Sequence, residues 1–394
     1  MTEFSTASNS NACAHADVTI IGGGVAGLWC RWKLAQLGYG VLVLESSRLG
    51  DGQTVLSQGI LHRGVKYAFS AQASEAARAA EEAAARWDES LGGKGGPDLR
   101  SARVLARSMF LWTSGGLIAR ATGAVASRLM KSHVQPLQAD AFPSLLSGRG
   151  GQIYRVDEWV LDPASALAAL ASQNSGPIGR ASVESITPTG NGVEVRTSAG
   201  LIRTGTLVLC AGGGNEQLLT MLGLTPQDWS QRRPLHMVFA RGPTEDLYGH
   251  WIASASDKPR LTITTSFANG ERVWYMGGEI AESGVTRDAA AQIDAARSEM
   301  HACFPSLKTD TWRFGTVRVD RAEGKDAAGR RPDGPVVREV GAGVIAVWPT
   351  KLVMAPIAAE SVAGMIRSPR NGVAQLPGVI PSPDYALPPW QPPR

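Results

Sequence analysis

The stretch VTIIGGGVAGLWCRWKLAQLGYGVLVLE, residues 18–45, decides the fold. It opens with a short apolar run that meets a row of glycines, after which Val25, Leu28, Trp29 and Trp32 recur at helical spacing. Gly38 suits the end of that helix, and VLVLE at 41–45 reads as a second buried strand. Strand, turn, helix and strand make a βαβ unit, the kind that builds a parallel sheet.

Gly22, Gly24 and Gly27 occupy the positions of a GxGxxG fingerprint at the strand-to-helix turn, with Val25 and Ala26 between the last two. The first glycine permits a tight turn, the second lets backbone approach a pyrophosphate, and the third lets the helix pack closely. Glu45, followed by Ser46, ends the second strand within the ~20-residue range expected of an acid that holds ribose hydroxyls. A glycine-rich turn in some other α/β protein would need neither that acid nor this order of elements, so a dinucleotide is expected.

NAD and FAD share this unit, and the layout downstream separates them. TGTLVLCAGGG returns to the sheet and ends in Ala211, Gly212 and Gly213, small residues suited to a second close approach of backbone to the same cofactor. An NAD domain runs through its strands without leaving the sheet, whereas this chain leaves and returns twice. FAD is therefore expected. In DPASALAAL, Asp162 is placed as an N-cap with Pro163 at the first helical position, and AQASEAARAAEEAAARWD at 71–88 has very high helix propensity. Residues 226–320 carry alternating patterns such as HMVFAR, LTITTS and RVWYMGG, with one helix near 287–301.

The expected fold class is α/β, a Rossmann-like FAD-binding domain interrupted by an inserted antiparallel-sheet substrate or cap domain. The expected division is a flexible leader at 1–16, an FAD-binding domain at 17–95, 156–225 and 323–376, a cap domain at 96–155 and 226–322, and a Pro-rich, irregular tail at 377–394. A chain of 394 residues and 41.6 kDa suits two domains, since single cores stop growing near ~250–300 residues.

Composition excludes several classes of function. A net charge of +4, with no Lys or Arg run longer than two, argues against nucleic acid as a partner. Cys13, Cys30, Cys210 and Cys303 lie far apart without CxxC spacing, which argues for reduced thiols, a cytoplasmic setting and no metal. There is no signal-peptide pattern, no membrane-length apolar run and no GxSxG, although peripheral membrane contact stays open.

The order of the fingerprint, GQTVLSQGILHRGVKY at 52–67, DEWVLDPASALAAL, TGTLVLCAGGG, GRRPDGPVV and WPTKLVMAPIAAESVA resembles the D-amino-acid-oxidase-like superfamily of FAD enzymes over about residues 17–370. Within it, the spacing of Gly52, Thr54, His62, Gly64 and Tyr67 is most similar to glycerol-3-phosphate and L-2-hydroxyglutarate dehydrogenases. The resemblance implies that Gln53, Thr54, Gln58, Gly59, Ile60 and Leu61 run beside the pyrophosphate and isoalloxazine. It further implies that Val183 contacts adenine through its backbone, and that Thr350, Lys351 and Leu352 sit at the pyrimidine edge of the flavin. Covalent attachment of flavin through a histidine also occurs among related families. The glycerol-phosphate enzymes carry serines where this loop has VLSQ, and residues 226–320 follow neither subgroup, so the substrate stays open.

His62 is the leading acid–base candidate, because hydride leaves a carbon more easily once the attached hydroxyl or amine has lost its proton, and imidazole titrates near neutrality. Its plain alternative is a hydrogen bond to the flavin or to a neighbouring strand. Lys66 and Tyr67 could reach the substrate side, and either Lys351 or the N-terminus of the helix beginning near Met354 could meet charge on the reduced flavin, Lys351 having a solvated loop lysine as its plain alternative. An anionic substrate calls for a fixed guanidinium, for which Arg318, Arg321 and Arg331 are candidates, Arg331 being placed with the cofactor contacts; each could equally pair with a nearby Asp. His236, His250, Trp251, Trp274 and Tyr275 are weaker candidates for the cap pocket, being of types common in sheet cores.

The function expected is an FAD-dependent oxidoreductase that takes hydride from a small polar substrate such as a 2-hydroxy acid or polyol phosphate. Its electron acceptor, whether oxygen, a quinone or a carrier, is open. Oxidation of an amino acid or secondary amine on the same fold is the alternative, and an FAD-binding sensor without turnover is a third.

Overall fold

A computed structural model describes residues 13–64, 74–113, 134–147, 152–252, 258–325, 332–367, 369–372, 374–376 and 380–391. The run 41–45 has no polar alternation because both of its faces are covered. Val41 and Val43 enter one core with Val25, Leu28 and Trp29 of the fingerprint helix, and Leu42 and Leu44 enter another on the opposite side. Strands Val344–Trp348, Gly200–Leu209, Cys13–Ile21, Val41–Glu45 and Ile178–Arg180 lie side by side in that order, all parallel. Antiparallel strands Val183–Thr189, Gly192–Thr197 and Val336–Gly341 extend the same sheet.

The first strand starts earlier than its apolar run. Cys13 pairs with Leu201 and Ala16 with Thr204, so residues 13–16 of the expected leader are sheet. The hairpin of Gly192–Thr197 and Gly200–Leu209 prolongs the neighbouring strand and supplies the partners for NH and CO groups that composition alone reads as loop.

Helix Pro163–Ala171 begins as expected, with the Asp162 carboxylate accepting from Ala164 N at 3.2 Å. The alanine-rich helix spans Ser74–Leu91 and the helix near 287–301 spans Ala289–Cys303.

A second large sheet has the strand order Arg313–Gly324, Ser230–Arg241, Glu271–Gly277, Leu261–Ala268, Gly249–Ile252, Met109–Thr113, Ile153–Val156 and Val134–Pro136. It is antiparallel as expected except at one seam, where Gly249–Ile252 runs parallel to Met109–Thr113. Register divides its residues between two faces. Val238, Ala240, Trp274 and Met276 face the helix Ala289–Cys303 in one core. Met237, Phe239, Tyr275 and Val319 face the other way, where they meet Leu56 from the loop after the fingerprint. A small antiparallel sheet of Val104–Ala106, Trp159–Leu161 and Ile60–Leu61 stands between the two large ones.

Residues 380–391 form no regular helix or strand, yet they are not loose. Leu49 N donates to Asp384 O at 2.7 Å, Ala386 N returns the bond to Leu49 O at 3.0 Å, and Trp390 is buried against the second sheet.

Candidate active site

The fingerprint turn is built for close approach. Gly22 has φ +111°, and a Cβ there would stand 2.5 Å from Cys210 O; one on Gly27 would stand 2.0 Å from Gly22 O. The helix Val25–Gln36 has no acidic residue in its first turn and no side-chain cap from Gly24, so its N-terminal N–H groups and dipole favour an anion. Thr54 Oγ1 accepts from Val25 N at 3.2 Å, which brings the 50–58 loop to this helix end. Glu45 accepts from Gly23 N at 2.8 Å through Oε2, with exposed Ser46 beside it. Ala181 N bonds Glu45 O at 3.0 Å, so Val183 starts its strand at this end of the sheet. Gly212, with φ +56°, lies at the C-terminal end of the return strand against Gln53, whose Nε2 would be 3.1 Å from an added Cβ. Bare backbone, an uncapped helix and a carboxylate converge at the C-terminal edge of a parallel sheet, and they fit a dinucleotide.

Beyond this cradle, the loop is held by the second sheet. Gln58 Nε2 donates to Thr262 O at 3.2 Å and to Tyr275 O at 3.0 Å, and Tyr275 donates its hydroxyl to Leu56 O at 2.9 Å. Gly59 has φ +71° and passes so near Leu161 that a Cβ would sit 2.0 Å from its carbonyl oxygen. Ile60 and Leu61 then pair with Val160 and Trp159, which delivers His62 next to Glu158.

His62 Nδ1 lies 3.1 Å from Glu158 Oε2, while Arg63 N donates to Glu158 Oε1 at 3.2 Å. His250 Nε2 faces the same Oε2 at 3.6 Å, and its Nδ1 is 2.9 Å from Thr262 Oγ1. The polar atoms of the three side chains all lie within 4.8 Å of one another. Burial by itself would raise the Glu158 pKa, but the two imidazoles hold it well below the usual carboxylate range. For His62 burial lowers the pKa; Glu158 opposes this, while Lys351 and His250 add to it. Lys351 follows a rare γ-turn in which its N–H bonds Pro349 O at 2.7 Å around Thr350, whose φ is +62°. A β-branched residue held in that conformation is strained backbone beside the cluster, and Leu352 then opens the turn that leads into helix Ala355–Met365.

Arg318 and Arg321 are three residues apart on one strand, so they point to opposite faces. Arg318 lies on the outer face and donates to Val285 O and Arg287 O at 2.6 and 2.7 Å. Arg321 shares the face of His250 but stands four strands away, ~19 Å at ~4.8 Å per strand, with Glu282 at 3.9 Å. A small substrate at His62 does not span that distance. His236 is buried against Gly284 O at 3.1 Å, and Trp251 and Trp274 belong to the core on the outer face. Lys66, Tyr67 and Arg331 lie outside the described residues. Sequence reasoning missed Glu158 and left His250 among the weak candidates; the one signal was an acid at the head of an apolar strand in DEWVLDP.

The family model for FAD dependent oxidoreductase (DAO) matches residues 17–365. The chain belongs to this family. This FAD-dependent oxidoreductase is 40% identical over 391 residues, 95% of its own chain and 97% of the other, to the Probable FAD-dependent oxidoreductase PA4991 of Pseudomonas aeruginosa. The crystal structure of PA4991 superposes with a TM-score of 0.80 at 34% identity, covering 96% of this chain and 98% of that one. Glycine oxidase from Geobacillus kaustophilus shares the fold, with a TM-score of 0.67 at 17% identity over 90% of this chain and 95% of that one. The cofactor of the oxidoreductase is FAD, and its α/β class is as expected. Gly22, Gly24, Gly27, Thr54 and Glu45 meet at the turn whose bare backbone and uncapped helix end fit such a cofactor. Among the described residues no helix is long and apolar enough to cross a membrane.

Proposed function

We propose that this oxidoreductase converts a small 2-hydroxy acid to the corresponding keto acid, with His62 taking the hydroxyl proton. The observation that carries this reading is the 3.1 Å contact between His62 Nδ1 and the carboxylate of Glu158. A hydroxyl, unlike an amine, must lose its proton as the hydride leaves, which calls for a held base beside the reacting carbon. Bound FAD supplies the two-electron acceptor for the hydride. The low proton affinity of His62 keeps it neutral, and so able to accept, at pH 7. Lys351, the cation whose field reaches His62, would attract a substrate carboxylate.

Oxidation of an amino acid or secondary amine is the second reading. It is supported by the fold shared with glycine oxidase and with the L-amino acid deaminase of Proteus vulgaris, the latter at a TM-score of 0.66 and 14% identity over 91% of each chain. The same imidazole would remove the ammonium proton before hydride leaves. Anaerobic addition of 2-hydroxy acids, polyol phosphates and amines to the yellow protein tests both. Bleaching by a hydroxy acid upholds the first reading, bleaching by amines alone transfers the site to the second, and no bleaching by any of them removes both.

A further inference from the structure

We propose that Glu158 and His250 are positioning residues that fix the polarity of His62, so that Nδ1 always carries hydrogen and Nε2 always presents a lone pair to the substrate. This deepens the function proposed above and rests on it for the role of His62, though the polarity itself follows from the hydrogen bonds.

An ionised carboxylate only accepts, so the nitrogen of His62 that lies 3.1 Å from Glu158 must be the protonated one. Turning the ring over would give up that bond, and the two-residue strand Ile60–Leu61 paired to Val160 and Trp159 anchors the backbone that carries it. Arg63 N occupies the other carboxylate oxygen at 3.2 Å. His250 completes the arrangement from the second sheet. Its Nε2 faces Oε2 at 3.6 Å, where a carboxylate favours the tautomer with hydrogen on Nε2, and in that tautomer its Nδ1 accepts from the Thr262 hydroxyl at 2.9 Å. Every hydrogen in this chain points toward Glu158 or away from Thr262, and among the described residues His62 Nε2 is the acceptor left open.

Among the described residues, the charged and titratable groups acting on His62 are Glu158 before the small sheet, His250 on the second sheet and Lys351 at the γ-turn. Glu158 stabilises the imidazolium that forms, whereas Lys351 and His250 oppose it. In turnover the substrate O–H bond breaks as an N–H bond forms at Nε2. The oxygen electron pair would close the C=O bond as hydride leaves, the proton going to His62 and bound FAD being what would accept the hydride. The second donor, His250, lowers the proton affinity of Glu158, which keeps that proton on the imidazole.

The test is nitrogen NMR of the FAD-loaded protein labelled with 15N-histidine, with His62→Gln and His250→Gln used to assign signals. Above pH 7 the expected result is His62 protonated at Nδ1 and bare at Nε2, with His250 the reverse. In Glu158→Gln the fixed tautomer of His62 should be lost, the midpoint of the kcat/KM pH profile should move down, and kcat should fall on the order of 10²-fold with KM little changed. A wild-type His62 protonated at Nε2 would overturn the proposal, as would a Glu158→Gln protein with tautomer and midpoint unchanged. So would a stoichiometric metal ion that copurifies and is lost in that variant. Should the tautomers be as assigned while no hydroxy acid or amine bleaches the flavin, the substrate reading fails and the polarity stands.

Discussion

The indole of Trp390 packs against the ring of Tyr275 with centroids 4.8 Å apart, and the Tyr275 hydroxyl donates to Leu56 O at 2.9 Å. A residue near the C-terminus is thus two contacts away from the loop that carries Gln58 and His62. Arg241 secures the strap by donating to Trp390 O, and Leu49 holds it at the other end. Trp390→Ala removes a buried aromatic, a change that costs about 3–5 kcal/mol in a core. The expected outcome is a lower Tm together with weaker FAD retention, read by thermal unfolding and by flavin lost on gel filtration. A lower Tm with unchanged retention would confine the strap to folding.

Gly27→Ala should abolish FAD binding through packing alone. The new methyl would stand 2.0 Å from Gly22 O, and two stretches of backbone cannot both stay in place. Overpacking of this kind costs about 1–3 kcal/mol and distorts the turn that faces the phosphates. Gly364→Ala is the matched control, being exposed near the end of helix Ala355–Met365 with nothing within 4 Å of an added Cβ. It should raise stability by up to about 1 kcal/mol and leave the flavin content unchanged. Flavin absorbance per protein after desalting separates the two.

These outcomes bear on what the sequence could tell. Gly22, Gly24, Gly27 and Glu45 are legible because the turn and its acid come from one continuous βαβ unit whose spacing is set by local geometry. His62 is legible for a similar reason, lying a few residues past the loop that follows that unit. Glu158 is 96 residues from His62, and it arrives only because a two-residue strand pairs with Trp159–Leu161. No periodicity encodes that meeting. His250 reaches the cluster through the parallel seam of the second sheet, a pairing that alternation in 226–320 cannot reveal. Alternation does carry one fact about the arginines: residues three apart on a strand cannot both face the same side. The number of strands separating Arg321 from His250 is a matter of sheet order, which only the fold supplies.

Glu158→Gln should also alter acid stability. The folded-state pKa of Glu158 is depressed, so its contribution is present above the unfolded value of about 4.3 and is lost as pH falls through the acid range below it. At pH 7 the variant loses the charged acceptor of the hydrogen bonds from His62 Nδ1 and Arg63 N, and a hydrogen bond to a charged group contributes about 1.5–3 kcal/mol. Denaturant unfolding at pH 7 should show that gap, and the gap should narrow as pH is lowered beneath about 4. A gap constant with pH would mean that the Glu158 charge does not act on stability.

The pH profile of turnover follows from the groups around His62. Burial, Lys351 and His250 bring its pKa below 6.5 against the opposing pull of Glu158. The base must be neutral, so kcat/KM should rise as pH rises and level off above that pKa, with a midpoint under 6.5. Removing the nearby positive charge in Lys351→Met makes the imidazolium easier to form, so the midpoint should move upward. The absolute rate should fall as well, because the cation proposed to attract the substrate is gone, but the midpoint is the discriminating readout. If the midpoint stays fixed while the rate drops, Lys351 acts on the substrate or the flavin without acting on His62, and the kinetic pKa belongs to another group.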